Sequence, residues 1–227
     1  MVDYKKLIGS LTEEDYQNNL VNLHIHTNYS DGTGDFKDIV NQAKQKGYKY
    51  IAISDHNTMA GYIETGIKDD ILIPAVEFDV WSGYVFCHLL AYGVDYNNEK
   101  LKPFFAKNKA ETIRHFTRLL PTRNMQKLID AIHDAGGIAV LAHPACYWAI
   151  SLDKLIGKLK KQGLDGVEVY YPYGRLRGII KFHKWADVEK CANKHGLIKT
   201  GGTDLHKKIL LPLKYKHKKS AQMAKIQ

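Results

Sequence analysis

The sequence has few of the features that define several common classes of protein. Its 227 residues include only three cysteines, Cys87, Cys146 and Cys191, and none is in C-x-x-C spacing. This argues against both a disulfide scaffold and a zinc ribbon. No apolar run approaches the roughly 18 to 20 residues that a membrane span needs, and none follows the first lysines as in a signal peptide. We therefore expect a cytoplasmic protein with buried free thiols.

The sequence also lacks internal repeats and any linker that would separate two domains. Its composition is 44% hydrophobic and 25% charged, which is ordinary for a globular chain and excludes disorder of the whole molecule. Residues 97–124, with polar clusters and two prolines around a short possible helix, read as a short insert. We predict one domain over residues 1–206, followed by a tail over residues 207–227.

Acidic residues are absent after Asp204, and this absence explains most of the net charge of +9. Seven lysines of the tail carry seven of the nine charges, so the body is nearly neutral. Such a run is either a solvated end or a flexible arm that binds phosphates such as those of a nucleic acid, and both alternatives stay open. These lysines are Lys207, Lys208, Lys214, Lys216, Lys218, Lys219 and Lys225.

Short apolar runs alternate with amphipathic segments that end in glycine. This alternation is typical of repeated βα units and predicts an α/β fold. Most of the runs are followed by turn residues. The seven candidate strands are Leu20–His26, Tyr50–Ser54, Ile71–Val76, Tyr84–Tyr92, Ile138–Ala142, Gly166–Tyr170 and Leu197–Thr200.

Two helices are clearly indicated between these strands. Asp35 is a candidate N-cap for a helix that stops at Gly47. A second helix carries apolar residues at positions 125, 128, 129 and 132, which follow helical spacing, and it ends at Gly136 and Gly137. Weaker helical patterns cover residues 153–161 and 181–194.

Histidines and carboxylates lie at or just past the ends of the candidate strands. His24 and His26 alternate with apolar residues, so a strand would place both rings on one face, about 7 Å apart at Cα, where they can share a metal ion. Alternation sends Cys87 to the face opposite His88, which removes it as a ligand. The gathered set is His24, His26, Asp31, His56, Glu77, His88, His143, Asp204 and His206.

Six imidazoles and three carboxylates are too many ligands for one ion. Nitrogen and oxygen ligands without thiolate suit zinc, manganese or iron, and nine groups fit two or three ions with bridging carboxylates. Several cations close together are most useful where negative charge accumulates. The residues by themselves therefore predict hydrolysis of phosphate esters.

These motifs, in their order along residues 20–206, resemble the PHP (polymerase and histidinol phosphatase) superfamily, and most of all its stand-alone TrpH-like phosphoesterases. The resemblance rests on the whole ordered set rather than on one motif. The set comprises His24-x-His26, Ser30-Asp31-Gly32, Ser54-Asp55-His56-Asn57-Thr58, Glu77, the stretch from His88 to Gly93, Gly136-Gly137 followed by Leu141-Ala142-His143-Pro144, Val167-Glu168-Val169-Tyr170 and Gly202-Thr203-Asp204-Leu205-His206.

The resemblance implies a distorted seven-stranded βα barrel with a trinuclear metal site. It assigns His24, His26, Glu77 and Asp204 to the first ion. Glu77 bridges to a second ion with His88 and His143, and Asp31, His56 and His206 hold a third. The residues expected to be catalytic are Asp31, His56, Glu77, His143, Asp204 and His206. In the TrpH-like group a sizeable helical insert follows the Tyr-Gly stretch, whereas residues 97–124 offer only a reduced one.

Substrate contacts are indicated less strongly than metal ligands. Arg175 and Arg177 follow a candidate strand at the expected active edge, and arginine suits bidentate phosphate binding, although a solvated loop explains them equally well. Arg114 and Arg118 on the insert are weaker candidates for the same role. Asp55, next to His56, is a candidate acceptor that orients that ring.

The sequence therefore predicts a metal-dependent phosphoesterase that hydrolyses phosphate esters of nucleotides or oligonucleotide ends, using hydroxide activated by two or three divalent ions. Two alternatives remain open. One is a phosphatase for a small metabolite, of the histidinol-phosphatase type. The other is a module that binds metal or nucleic acid without hydrolysis.

Overall fold

One sheet of seven strands forms the centre of the protein, as seen in a computed structural model that describes residues 2–119, 123–173 and 183–214. The strands follow one another around the sheet in chain order, and all neighbours are parallel except at β4, which is antiparallel to both of its neighbours. The strands are β1 (Val21–Ile25), β2 (Tyr50–Ile53), β3 (Leu72–Ser82), β4 (Val85–Tyr92), β5 (Ile138–Leu141), β6 (Gly166–Tyr170) and β7 (Ile198–Gly201).

The sheet curls until its first and last strands meet. The backbone N–H of His26 donates to the carbonyl oxygen of Leu205 at 2.8 Å, and Ile25 and Leu205 form a parallel bridge just past the two strand ends. Buried apolar side chains fill the space between sheet and helices. The prediction of an α/β fold with a distorted seven-stranded barrel is confirmed.

The third strand is longer than the sequence pattern predicts. It passes Val76 and continues to Ser82, and a two-residue turn with Gly83 at a φ of +64° joins it to β4. Phe78 and Val80 alternate with polar neighbours and are fully buried, so the strand continues through the acidic residues that looked like its end. His88, the ligand predicted on β4, therefore lies in the middle of an antiparallel strand rather than at a strand end.

Helices cover the outside of the sheet. The side chain of Asp35 caps α3 by accepting from the backbone N–H of Asp38, as predicted, and Asn124 caps α7 in the same way. Residues 181–182 of the helix predicted over residues 181–194 lie outside the described part, and in that part the helix begins at Trp185, after Lys184 in an extended conformation. The sequence reading missed α1, α2 and α4. The described helices are α1 (Tyr4–Gly9), α2 (Glu13–Gln17), α3 (Phe36–Gln45), α4 (Ala60–Thr65), α5 (Ala110–Ile113), α6 (His115–Leu119), α7 (Met125–Asp134), α8 (Leu152–Lys161) and α9 (Trp185–Lys194), with short 3₁₀ helices at Lys102–Phe104 and Pro144–Cys146.

The described part of the insert, residues 97–119 and 123–124, contacts the sheet near the end of β2 and along β3. Its backbone at Ala106 donates to the carbonyl oxygen of Asn57 at 2.7 Å, and the Asn57 side chain donates to Glu111 at 3.0 Å. Farther along, the indole of Trp81 on β3 donates to the carbonyl oxygen of Leu119 at the end of α6. These contacts hold α5 and α6 close to the strand ends.

The first residues of the basic tail pack against the body. Leu210 and Leu213 are buried, and the Gln42 side chain on α3 bonds the backbone of Lys208 and Leu210. The chain then reaches Asn19, which precedes β1 and so lies at the end of that strand opposite the active edge. Residues 207–214 therefore pack on the body instead of forming a solvated end or a flexible arm. Residues 215–227 lie outside the described part.

Two exclusions drawn from the sequence can be compared with the structure. Cys87 and Cys191 are buried free thiols, whereas Cys146 is partly exposed. Among the described residues, no helix has both the length and the apolar character required to cross a membrane.

The seam between β1 and β7 depends on a close backbone approach at Gly202. A Cβ atom at this position would lie 2.5 Å from the backbone nitrogen of His24. We expect Gly202→Ala to lower the free energy of unfolding by about 1–3 kcal/mol, as overpacking does. Gly9→Ala is the matched control, because its Cβ would meet only the side chain of Ile198 at 3.8 Å. Urea unfolding of both variants checks this, and equal midpoints would contradict it.

Candidate metal centre

All nine predicted ligands converge at one end of the barrel. They come from six of the seven strands or from the residues that follow them. β1 carries His24, β3 carries Glu77, and β4 carries His88. The segments after β1, β2, β5 and β7 supply the remaining six, which are His26, Asp31, His56, His143, Asp204 and His206.

Glu77 stands at the centre of this cluster. Its Oε2 atom lies 3.3 Å from Nε2 of His24, Nε2 of His26 and Nδ1 of His56. Its Oε1 atom lies 3.1 Å from Nδ1 of His88 and 3.4 Å from Nε2 of His143. One carboxylate thus faces five imidazole rings, as a bridging ligand between two ions would.

Several buried polar atoms of this cluster lack hydrogen-bond partners among the described residues, as expected of a site that binds metal ions. Both carboxylate oxygens of Glu77 and Nδ1 of His88 are buried, yet none has a hydrogen-bond partner among the residues that the structure describes. Buried polar atoms are nearly always bonded, so several such atoms in one place need another partner. Nitrogen and oxygen atoms that converge without a proton between them are suited to divalent cations.

The described residues form three sets of potential metal ligands, and the ligand atoms within each set all lie within 4.8 Å of one another. Asp204 adjoins the first set, since its Oδ1 is 3.3 Å from Nε2 of His26. The sets resemble the three groupings implied by the family resemblance, although His26 and His56 each belong to two of them. They are His24 with His26 and Glu77; His56 with Glu77 and His88; and His26 with Asp31, His56 and His206.

Burial and mutual attraction shift the pKa values of these groups in opposite directions. Burial by itself would raise the pKa of Glu77, but attraction to His24, His56 and His88 holds it well below its usual value. Burial lowers the pKa of His26, yet Asp204 and Glu77 raise it to about 9. An ion that binds His26 must displace a proton, so metal binding releases protons.

Glu168 is a functional residue that the sequence reasoning did not assign. Nδ1–H of His24 donates to Oε1 of Glu168 at 3.0 Å, and the backbone N–H of His143 donates to Oε2 at 2.9 Å. This contact leaves the lone pair of His24 on Nε2, which faces Glu77, and a carboxylate behind a ligand imidazole has this orienting effect in metal sites. The sequence contained one signal for this residue, because Glu168 is an acidic residue between Val167 and Val169 on a predicted buried strand.

Asp55 does not act as predicted. Instead of orienting His56, it accepts hydrogen bonds from the backbone and hydroxyl of Thr27 at 2.7 and 2.6 Å and from the hydroxyl of Ser30 at 2.6 Å. These bonds shape the loop that carries Asp31.

Arg118 is the one candidate arginine that the structure brings into the centre. It is fully buried and donates to both carboxylate oxygens of Asp79, a second acid on β3 that the sequence reasoning also missed. Arg114 is exposed, and Arg175 and Arg177 lie outside the described residues. The tyrosine after β6, Tyr171, donates its hydroxyl to Oδ2 of Asp204 at 2.7 Å.

Backbone strain concentrates at the ligand turns. Among the described non-glycine residues, four have positive φ, and three of these lie at the centre: Asn57, His143 and Asp204, at +57°, +28° and +49°. Such conformations cost of order 1–3 kcal/mol each and persist where the surroundings enforce them. The turns therefore hold two predicted ligands in fixed directions.

An aromatic cavity of about 360 Å³ opens beside the centre. Two predicted ligands, His88 and His143, form its inner wall. Its outer wall includes exposed aromatic side chains, with Trp148 71% and Tyr84 67% accessible. The remaining lining residues are Trp81, Val85, Phe86, Cys146 and Tyr147.

Comparison with known proteins gives a family and several relatives. The model of the PHP domain family matches residues 22–196. An uncharacterized protein of Methanocaldococcus jannaschii, MJ1587, is 29% identical over 67% of this chain and 82% of its own length. The phosphoribosyl 1,2-cyclic phosphate 1,2-diphosphodiesterase of Eggerthella lenta is 24% identical over 82% of this chain and 94% of its own. A 5'-3' exoribonuclease of Haemophilus influenzae is 24% identical over 65% of this chain and 77% of its own.

A solved structure shares the fold. A protein assigned as a metal-dependent phosphoesterase from Bifidobacterium adolescentis superposes with a TM-score of 0.62 and 22% identity, covering 83% of this chain and 88% of that protein.

The central position of Glu77 leads to a prediction about metal content. Glu77→Gln keeps the shape of the side chain but removes its charge and one ligand oxygen, so binding at more than one ion should weaken. We expect the variant to lose one to two ions per chain, measured by elemental analysis after incubation with zinc or manganese. Glu99→Gln removes an exposed carboxylate and should change nothing. Equal metal content in all three proteins would contradict a bridging role.

Proposed function

The chain belongs to the PHP domain family, and we propose that it hydrolyses phosphate esters of nucleotides or of oligonucleotide ends. Membership confirms the resemblance read from the motifs and, with the related hydrolases, the predicted class of metal-dependent phosphoesterases. The substrate is the proposed part. The observation that carries it is the aromatic cavity next to the ligands His88 and His143.

The cavity and the centre share one face of the β3–β4 hairpin. Trp81 pairs with Phe86 and Asp79 pairs with His88, and because strand residues alternate, all four side chains share that face with Glu77. The ring centroids of Trp81 and Phe86 are 5.1 Å apart, and those of Phe86 and His88 are 5.4 Å apart. A continuous row of rings thus leads to the metal ligands.

This arrangement suits a nucleotide. Base stacking on aromatic side chains contributes about 1–3 kcal/mol per base and tolerates any base. A phosphate placed at the centre would leave the nucleoside beside the aromatic row. Two relatives support this substrate class, since their names refer to a phosphoribosyl cyclic phosphate and to RNA.

Two to three divalent ions, of zinc, manganese or iron, would be held by His24, His26, Glu77 and Asp204, by Glu77 with His88 and His143, and at the group formed by Asp31, His56 and His206. When bound, such ions lower the pKa of water and neutralise phosphate oxygens. The protein's own groups orient the ligands: Glu168 fixes the ring of His24, and Tyr171 fixes the carboxylate of Asp204.

The substrate class is tested by comparing a nucleotide with its base-free analogue. We expect the metal-loaded protein to hydrolyse AMP or a 5'-phosphorylated oligonucleotide with a lower KM than ribose 5-phosphate. Trp148→Ala should raise KM for the nucleotide about 5- to 100-fold, as loss of a stacking contact does, and leave ribose 5-phosphate unchanged. Trp148→Phe keeps a ring and should restore most of the affinity.

Other outcomes would redirect the proposal. Preference for histidinol phosphate over every nucleotide would favour a small-metabolite phosphatase. Bound metal with no turnover of any of these esters would favour a non-hydrolytic module. Equal KM values for AMP and ribose 5-phosphate would refute a base-binding role for the cavity.

Asp204→Asn and His143→Ala test whether the centre carries the reaction. Both ligands lie on turns after strands rather than in the core, so the fold should persist. We expect phosphoester hydrolysis to fall by more than about 100-fold in each variant, beyond the loss typical of groups that only orient ligands. Normal turnover with an unchanged circular dichroism spectrum would show that these residues are not catalytic.

A further inference from the structure

Arg118 brings a fixed positive charge from the insert into the candidate metal centre. Its Nε and Nη2 atoms donate to the two carboxylate oxygens of Asp79 at 2.8 and 2.9 Å. Nη1 donates to Oδ2 of Asp31 at 2.9 Å, and Nη2 also lies 2.8 Å from Nδ1 of His56. The guanidinium therefore contacts two of the three residues that the family resemblance assigns to a third ion.

The contact with His56 determines which nitrogen of that ring is free. A guanidinium can only donate, so Nδ1 of His56 must accept and carries no proton. A neutral imidazole has one proton, which then resides on Nε2 and leaves no lone pair there for an ion. While Arg118 holds this position, His56 cannot be a metal ligand through either nitrogen.

Two neighbouring histidines show the opposite arrangement. Nδ1–H of His24 donates to Glu168, and Nδ1–H of His206 donates to the carbonyl oxygen of Asp204 at 3.0 Å. Each ring therefore presents its Nε2 lone pair to the carboxylates, as metal-binding histidines do. His56 differs from these rings because a donor, Nη2 of Arg118, lies 2.8 Å from its Nδ1, closer than Oε2 of Glu77 at 3.3 Å.

Without His56, the site implied for a third ion has too few protein ligands. Nε2 of His26 lies 3.3 Å from Glu77 and Asp204, and a neutral ring that held the first ion through Nε2 would have no second lone pair for a third ion. Asp31 and His206 then remain, with Oδ1 and Nε2 3.2 Å apart. Two protein ligands bind a divalent ion weakly compared with the four residues implied for the first ion and the three implied for the second.

We propose that Arg118 takes the place of a third cation, so that the centre holds two divalent ions and its third positive charge comes from the insert. This inference rests on the metal centre of the proposed function. Asp79 supports it, because this additional carboxylate binds the guanidinium through both oxygens and is further held by Asn57, whose side-chain oxygen accepts from the Asp79 backbone N–H at 2.9 Å.

The test counts zinc ions in proteins equilibrated with buffered Zn²⁺. We expect two ions per chain in the wild type. The double variant Arg118→Met with Asp79→Asn removes opposite charges together and frees His56, so it should bind a third ion at least about tenfold more tightly than the wild type does, the scale of outer ligand effects. Arg114→Met, an exposed arginine of the same insert, is the control and should bind two.

A second measurement does not depend on the folding of the variant. Side-chain ¹⁵N NMR of the zinc-loaded wild type should show the proton of His56 on Nε2, with the signal assigned by its loss in His56→Asn. A proton on Nδ1, or equal zinc counts of two or three in wild type and double variant, would overturn the inference. A count of one or none in the wild type would instead contradict the metal centre itself.

Discussion

The attraction between one buried carboxylate, Glu77, and the imidazole rings around it is the constraint on which the rest of the structure depends. A buried charge is costly unless it is paired, and the hydrogen bonds that would normally satisfy Glu77 are missing among the described residues. Divalent cations held by the carboxylate and the rings would resolve this conflict. The surrounding groups can be understood as means of holding the rings in place: Glu168 behind His24, the bridge that closes the barrel at Leu205, and the turns with positive φ at His143 and Asp204.

The position of the ligands at the strand ends explains why so much of the site could be predicted. Carboxyl ends of parallel strands meet at one edge, so His24, His26 and His143 were expected together from their strands alone. Asp79 and Arg118 could not be found in this way. Asp79 belongs to a part of β3 that becomes a strand only because β4 pairs with it, and Arg118 comes from an insert whose path no local pattern determines. Both depend on contacts between residues far apart in the chain.

The basic tail is a second segment whose structure the sequence pattern did not predict. Its lysines suggested a free arm, and charge was the strongest feature of the sequence there. Two leucines decide the outcome for its first residues: Leu210 and Leu213 are buried, and the backbone between them is bonded to α3 and to Asn19. These leucines belong to the apolar run Ile209-Leu210-Leu211-Pro212-Leu213, and burying each of the two contributes about 1.5–3 kcal/mol once a groove is present.

The β3–β4 hairpin combines two roles at different distances from the barrel. Its base carries Glu77 and His88, whereas its tip carries Trp81, Tyr84 and Phe86 around a two-residue turn. Residues at the tip can be exchanged without altering the ligands at the base, because register and alternation are set by the pairing along the whole ribbon. The tip of the hairpin can therefore be exchanged as one unit. If the aromatic cavity binds the substrate as proposed, a tip transplanted from another member of the family would change the substrate preference and leave Glu77 and His88 in place.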